Sequence, residues 1–502
     1  MKLGIDFGTS TILVTRWDEN ENSNVEIVNG IGSYGANFVE NVVYIKDADT
    51  ILIGDSAKTY VNSPNAHQEN YISGIKRHLL NPEWRCSIIA DGTGETLTFT
   101  APEVCTMVFR YISDTVKKNH PNDFKEDEPI HVVLSVPYDY KADTRNIISE
   151  SAEKAGLLVE SLIEEPIAAS MSYGIFNDAL ENGKSQNIMI VDFGGGTLDT
   201  TAFSFTSEEG GRTKIETLAT GGDSKLGGLD ITRILKEHYT SKLSNKLDNK
   251  TEQQVFDRCN EYKEILSDYE NDTDSIEIMI EGMNFEYVEE ELTLGEYRQL
   301  LEENGIFDKM KKTFDDCVSR SGISKTEFDK VILVGGTCKI SLIQKYIEEY
   351  FGKKPIISTA VDIFELVGLG AGLYCKSLTL KDNFNYYIVQ KVIYSIGVFS
   401  SGINGGSHFN PFVKSNSKYD EYVDRRFGMK QQCGTAVLDI YQAPADDSPR
   451  ETCKKIGYID IECDRFPNKM LNLSLKIQNH DILYKLSNDY NEEVSKGSIF
   501  KV

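Results

Sequence analysis

Two short stretches of this chain join a carboxylate to a glycine-rich, hydroxyl-rich turn at the end of an apolar run. The first is Asp6-Phe7-Gly8-Thr9-Ser10-Thr11 and the second is Asp192-Phe193-Gly194-Gly195-Gly196-Thr197-Leu198-Asp199. Glycines let a backbone approach an anion closely, and successive N–H groups around a tight turn make an anion-binding concavity. Thr9, Ser10, Thr11 and Thr197 add hydroxyl donors. Asp6 and Asp192 are placed to hold a hydrated Mg²⁺, which keeps several waters and needs only one or two carboxylates beside phosphate oxygens. Either stretch alone is an ordinary hairpin turn. Two copies, each followed by a second β-rich run (ILVTRW and TTAFSF), imply two similar halves that each offer a phosphate loop.

Further pieces fall around these loops. Lys76, in SGIKRHLL, brings a cation suited to charge developing on a terminal phosphate. Glu165 precedes Pro166 at an expected helix start, where a carboxylate also suits the helix dipole. ATGGDSKLGG (219–228) and LVGGTCKI (333–340) each set a glycine pair near a helix start, which suits phosphate or nucleoside contacts. Other motifs fail. Gly30-Ile31-Gly32-Ser33-Tyr34-Gly35 has the G-x-G-x-x-G spacing but precedes a β-rich stretch, not a helix. The DFG triplets lack the HRD and VAIK partners of protein kinases. Gly183-Lys184-Ser185 lacks the upstream glycine of a P-loop, and no HExxH or CxxC spacing supports a zinc site.

Positioning these residues requires alternating strands and helices over the first 380 or so positions. Apolar runs at 3–7, 132–136, 189–193 and 331–334 read as strands, and 102–118, 142–155, 253–269 and 294–314 read as helices. That alternation predicts an α/β architecture with buried sheets. From about Tyr386 the pattern changes to short alternating strands at 392–398, 435–441, 456–463, 470–477 and 482–486, an all-β domain. The divisions expected are 1–380, a linker at 381–391 and a β-domain at 392–502. The linker is not Gly/Ser-rich and carries the apolar run 386–389, so it should dock.

Composition excludes other classes. Of 502 residues, 78 are acidic and 53 basic, and the net charge of −25 disfavours non-specific binding to nucleic acid or anionic membranes. Nine scattered cysteines suit a reducing compartment. No apolar run reaches a membrane span, and the N-terminus has no secretory signal, so a cytoplasmic protein is expected.

In their order, DFGTST, IKRHLL, LSVPYDYKADTR, EEPIAAS, VDFGGGTLD, ATGGDSKLGG, VILVGGT and GLGAG resemble the nucleotide-binding domain of the seventy-kilodalton heat-shock (DnaK-type) chaperones. The resemblance spans about 1–380 and implies the actin-like ATPase fold, with duplicated ribonuclease H-like halves. SIGVFSSGING, LDIYQAP and GYIDIE resemble, more loosely, the family's small β-sandwich substrate-binding domain.

The resemblance implies ATP/ADP and Mg²⁺ as cofactors, with Asp6 and Asp192 holding the metal. Gly8–Thr11 and Gly194–Thr197 would take the phosphates, Lys76 would act at the γ-phosphate, and Glu165 and Thr197 would position water. Gly227, Gly228, Asn260, Lys263, Ser267, Gly335, Gly336 and Lys339 would border the nucleotide. Pro137 and Arg145 match residues that relay nucleotide state, and Val398, Phe427, Met429 and Leu438 would line a peptide cleft. Several positions depart from the family. Asn260 replaces an acidic adenosine contact, Lys339 a stacking arginine, and Gln390 an acidic linker residue. Ser161 and Glu164 stand where residues that dock a J-domain are usual, which puts that partner in doubt. No helical lid is expected after the β-domain.

The function expected is an ATP-dependent chaperone, monomeric, that couples slow hydrolysis to binding and release of extended polypeptides, with a co-chaperone or exchange factor. The alternative is an actin-like ATP-binding switch or exchange or assembly partner serving one dedicated protein client. Lys76, Glu165 and Thr197 argue against a pure binder, and the β-domain argues against an actin-like filament or a small-molecule kinase.

Overall fold

The computed structural model describes residues 1–18, 24–32, 37–124, 128–138, 140, 142–176, 183–208, 211–357, 362–389, 395–401, 407–414, 422–429, 434–443, 446–478 and 481–501. The chain divides into two compact units, Met1–Ile215 with Ala219–Tyr387 and Glu216–Leu218 with Ile388–Val502.

Residues 1–389 contain two six-stranded sheets. The first runs Leu157–Glu164, Ile130–Val136, Lys2–Phe7, Thr11–Trp17, Glu26–Ile27, with Phe38–Glu40 also paired to Thr11–Trp17. The second runs Ile356–Ile357, Lys330–Val334, Ser185–Phe193, Leu198–Ser207, Thr213–Asp223, Tyr386–Val389. Their topology repeats. In each, a central strand has a parallel neighbour on one side, itself flanked by another parallel strand, and folds back as an antiparallel hairpin on the other. This is the duplication that the two Asp-Phe-Gly turns predict. The apolar run 386–389 is the outermost strand of the second sheet, and Thr213 N–H donates to Asn385 O at 2.7 Å.

Helices cover the sheets by burying one stripe. Helix Ala101–Asn119 starts at a capping box of Thr100 and Glu103, then buries Val104, Val108, Phe109, Ile112 and Val116 at helical spacing. Phe109 meets Phe7 with ring centroids 4.8 Å apart, so this helix backs the strand that carries Asp6. The GLGAG run lies inside helix Leu366–Leu380. A Cβ on Gly370 would sit 1.8 Å from Ala168 O, so that glycine exists to let two helices touch.

Two expectations need correction. Residues 294–314 form two helices, Leu294–Glu303 and Ile306–Ser321. Gly305 between them has φ 68°, a left-handed conformation that ends the first helix. The last strand is not 482–486, because Glu493–Ser498 and Phe500–Lys501 follow.

In the smaller unit, one sheet orders Ser407–Val413, Ser395–Ser401, Thr435–Ala443, Lys454–Glu462, Phe500–Lys501, and the other Val423–Gly428, Met470–Gln478, Asp481–Ser487, Glu493–Ser498. Ile396, Val398, Ile440 and Ile459 from the first sheet share one apolar core with Leu471, Leu473, Leu475 and Leu486 from the second. Val398 is fully enclosed in that core, while Phe427, Met429 and Leu438 are half-buried against it.

Candidate functional site

Both Asp-Phe-Gly turns are hairpin tips. Phe7 pairs with Ile12 and Phe193 with Leu198, so Asp6 and Asp192 hold the same register position in their hairpins. Both are buried. Ser135 Oγ donates to Asp6 Oδ1 at 2.6 Å, from the parallel neighbour strand. Burial, then Glu165, pushes Asp6 up to about 7, against the pull of Lys76 and Ser135. Burial raises Asp192 well above the usual carboxylate range, and Glu165 and Asp6 add to it.

Lys76 is the cation of this group. It lies in helix Ile75–His78, 1% exposed, and its Nζ donates to Glu165 at the first position of helix Glu165–Phe176. Tyr140 OH donates to Lys76 O at 2.9 Å and fixes that turn. One ammonium thus serves three carboxylates, Asp6, Glu165 and Asp192. That excess of buried negative charge fits a divalent cation. Among the described residues no three His, Cys, Asp or Glu side chains cluster as a metal cage.

The two loops face each other. A Cβ on Gly195 would lie 1.8 Å from Ser10 Oγ, and one on Gly196 would lie 2.2 Å from Thr9 Oγ1. Only glycine permits this approach. Asn41 pins the first loop, its N–H donating to Ser10 O at 2.7 Å and its Nδ2 to Gly8 O at 2.8 Å. The second loop is held from below by helix Gly228–Thr240, whose Gly228 and Leu229 N–H groups donate to Gly194 O and Gly195 O at 3.0 and 2.9 Å. Gly227 is that helix's N-cap.

Sequence reasoning missed Arg77. Its guanidinium donates through two nitrogens to Gly196 O and through two to Asp230 in the first turn of helix Gly228–Thr240. It therefore straps Lys76's helix to the second loop. Adjacency to Lys76 was the only signal available.

The residues expected to border a nucleoside form two groups beside the second loop. In the first, Lys263 Nζ lies 2.6 Å from Asn260 Oδ1, 3.0 Å from Thr232 Oγ1 and 3.3 Å from Gly228 O. Burial pulls Lys263 down to about 8. Ser267 Oγ donates to Lys263 O at 3.0 Å one turn on. In the second, Gly335 and Gly336 follow strand Lys330–Val334, and a Cβ on Gly335 would lie 2.7 Å from Asp192 Oδ1. Thr337 Oγ1 donates to Gly194 O at 2.9 Å, and Lys339 lies at the end of the same turn.

Arg145 pairs with Glu164 at 2.9 Å, both 3% exposed, and donates to Tyr140 O and Tyr138 O. Glu164 and Ser161 are thus buried rather than displayed. Gln390 lies outside the described residues.

The sequence profile of the Hsp70 protein family matches residues 2–403. The chain is similar to the chaperone protein DnaK of Elusimicrobium minutum (strain Pei191), at 28% identity over 384 residues, which cover 75% of this chain and 58% of that protein. The chain therefore spans little more than half the length of that relative. A profile match over four-fifths of the chain, on a duplicated fold whose two Asp-Phe-Gly hairpins meet tip to tip, establishes that this chain belongs to the Hsp70 family.

Proposed function

We propose that this chain is an ATP-driven molecular chaperone that couples slow, Mg²⁺-dependent hydrolysis to binding and release of extended polypeptide segments. The observation that carries the reading is the buried Lys76–Glu165 pair set beside Asp6 and Asp192 at the tips of two matched hairpins. A protein that only bound nucleotide would have no need to enclose a cation and a carboxylate there, given what their desolvation costs.

In this reading residues 1–380 are the actin-like ATPase domain, 381–391 the linker and 392–502 a β-sandwich that takes peptide. Asp6 and Asp192 would hold Mg²⁺, which would neutralise charge on the phosphate oxygens. The N–H groups and hydroxyls of Gly8–Thr11 and Gly194–Thr197 cradle the phosphates. Lys76 stabilises charge on the transferred group, while Glu165 and Thr197 orient the attacking water. Gly227, Gly228, Asn260, Lys263, Ser267, Gly335, Gly336 and Lys339 border the nucleoside. Clients are extended polypeptides added to the β-domain by strand-type hydrogen bonds. The cysteines described are all free thiols, in keeping with the cytoplasm.

Steady-state phosphate release, measured with Mg²⁺ or with EDTA and with or without an extended apolar peptide, tests this. Metal-dependent turnover that rises with peptide is expected. Absence of any metal-dependent turnover would overturn the reading.

A further inference from the structure

Phe364 has no part in the site as read from the sequence, yet it touches two members of it. It sits in the turn before helix Leu366–Leu380, where its N–H donates to Asp362 Oδ1 at 3.0 Å. A Cβ on Gly336 would lie 2.4 Å from Phe364 Cε1 and 2.8 Å from its Cζ, so the ring's edge rests on the Gly336 backbone. Lys339 Nζ stands 4.4 Å from the ring centroid and 3.9 Å from Asp362. From a distant segment, Phe38 brings a second ring to 5.6 Å, tilted by 37°. Asn37 Nδ2 donates to Glu365 Oε1 at 2.6 Å and ties the two segments together. Both side chains are half-buried.

This wall continues directly from the phosphate loops, since Gly335 abuts Asp192 and Thr337 bonds Gly194 O. A flat apolar surface that leads off a phosphate cradle and carries an ammonium over its face matches a purine. Bases stack on aromatic rings whatever their edge pattern, and cations add to the attraction. We infer that Phe364 is a nucleobase-contacting residue, which with Lys339 forms the wall against which the purine of a bound nucleotide packs. The inference rests on the nucleotide-site reading above.

The test separates base from phosphate. Mg·ADP affinity is measured by calorimetry for the parent chain and Phe364→Ala, and thermal stabilisation by Mg·tripolyphosphate, which has no base, is measured on both. Phe364→Ala should weaken ADP about 10-fold or more, as for loss of one base–aromatic stack, with tripolyphosphate unaffected. In Phe364→Trp, the added indole emission should respond to ADP and not to tripolyphosphate. Unchanged or tighter ADP binding by Phe364→Ala, equal loss of both ligands, or an indole blind to ADP would overturn the assignment. If the parent chain binds no ADP, the nucleotide reading itself falls and takes this inference with it.

Discussion

Replacing Lys76 with Met should have two consequences of different origin, and a second substitution should part them. Among the described residues Lys76 is the one ammonium acting on Asp6 and Asp192, and both it and its partner Glu165 are buried. Deleting one partner of a buried ion pair costs about 3–5 kcal/mol, because the other charge is stranded. The lower end applies here. Burial already holds the Asp6 carboxyl well above the usual carboxylate range, which favours its taking up a proton when the cation is lost. Catalysis loses separately: removing one donor aimed at developing charge costs about 10²–10³ in turnover. Lys76→Met/Glu165→Gln removes one positive and one negative charge, which restores the parent's excess. It should recover most of the stability while turnover stays at the single variant's level or below. Urea unfolding followed by Trp17 and Trp84, both in the larger unit, measures the first quantity, and single-turnover hydrolysis the second. A double variant no more stable than Lys76→Met, or a Lys76→Met that turns over at the parental rate, would refute the argument.

Arg77→Ala removes four donor contacts that strap helix Ile75–His78 to the second loop and to Asp230, and charged hydrogen bonds contribute about 1.5–3 kcal/mol each. ADP release should quicken by about 10-fold or more in stopped-flow displacement, and an unchanged rate would make the strap irrelevant to nucleotide retention. Lys263 offers a pH signature. Its folded value, about 8, lies below the ordinary lysine value, so between the two the unfolded chain binds more protons and stability rises with pH. The parent should therefore gain on Lys263→Met in nucleotide-free melting temperature as pH rises from 8 towards 10. A constant difference would mean that the ammonium is not penalised.

How much of this was legible in the sequence depended on whether the cause was local. The Asp-Phe-Gly turns could be read because each states a hairpin within a few residues, and their repetition turns two ordinary hairpins into a pair of phosphate loops. Lys76 could not be read from its surroundings alone, since a lysine in SGIKRHLL looks solvated. Its burial comes from Glu165 and Tyr140, far along the chain. The break at Gly305 was written in Asn304-Gly305, but apolar spacing that continues on both sides hid it. Phe364 gave no signal at all, because a single aromatic before a helix is common, and only the fold brings Gly336, Lys339 and Phe38 to it.

The duplicated topology also explains why the site is asymmetric. Each half contributes the same strand order and sets one aspartate at the same hairpin position, so the fold alone delivers two carboxylates facing across two loops. Two like charges held in a dry cleft cannot both ionise cheaply, and a symmetric site would only repel itself and its phosphate ligand. The first half relieves this with additions the second lacks: Lys76 on helix Ile75–His78, and Ser135 donating to Asp6. The second half supplies what the first lacks, glycines at 195 and 196 where the first loop carries Thr9 and Ser10, and Asp199 where the first hairpin has Leu13. Arg77 then crosses from the cation-bearing half to the second loop. Duplication built the cleft, and the differences between its copies give it a direction, with positive charge on one wall and the two extra glycines and Asp199 on the other.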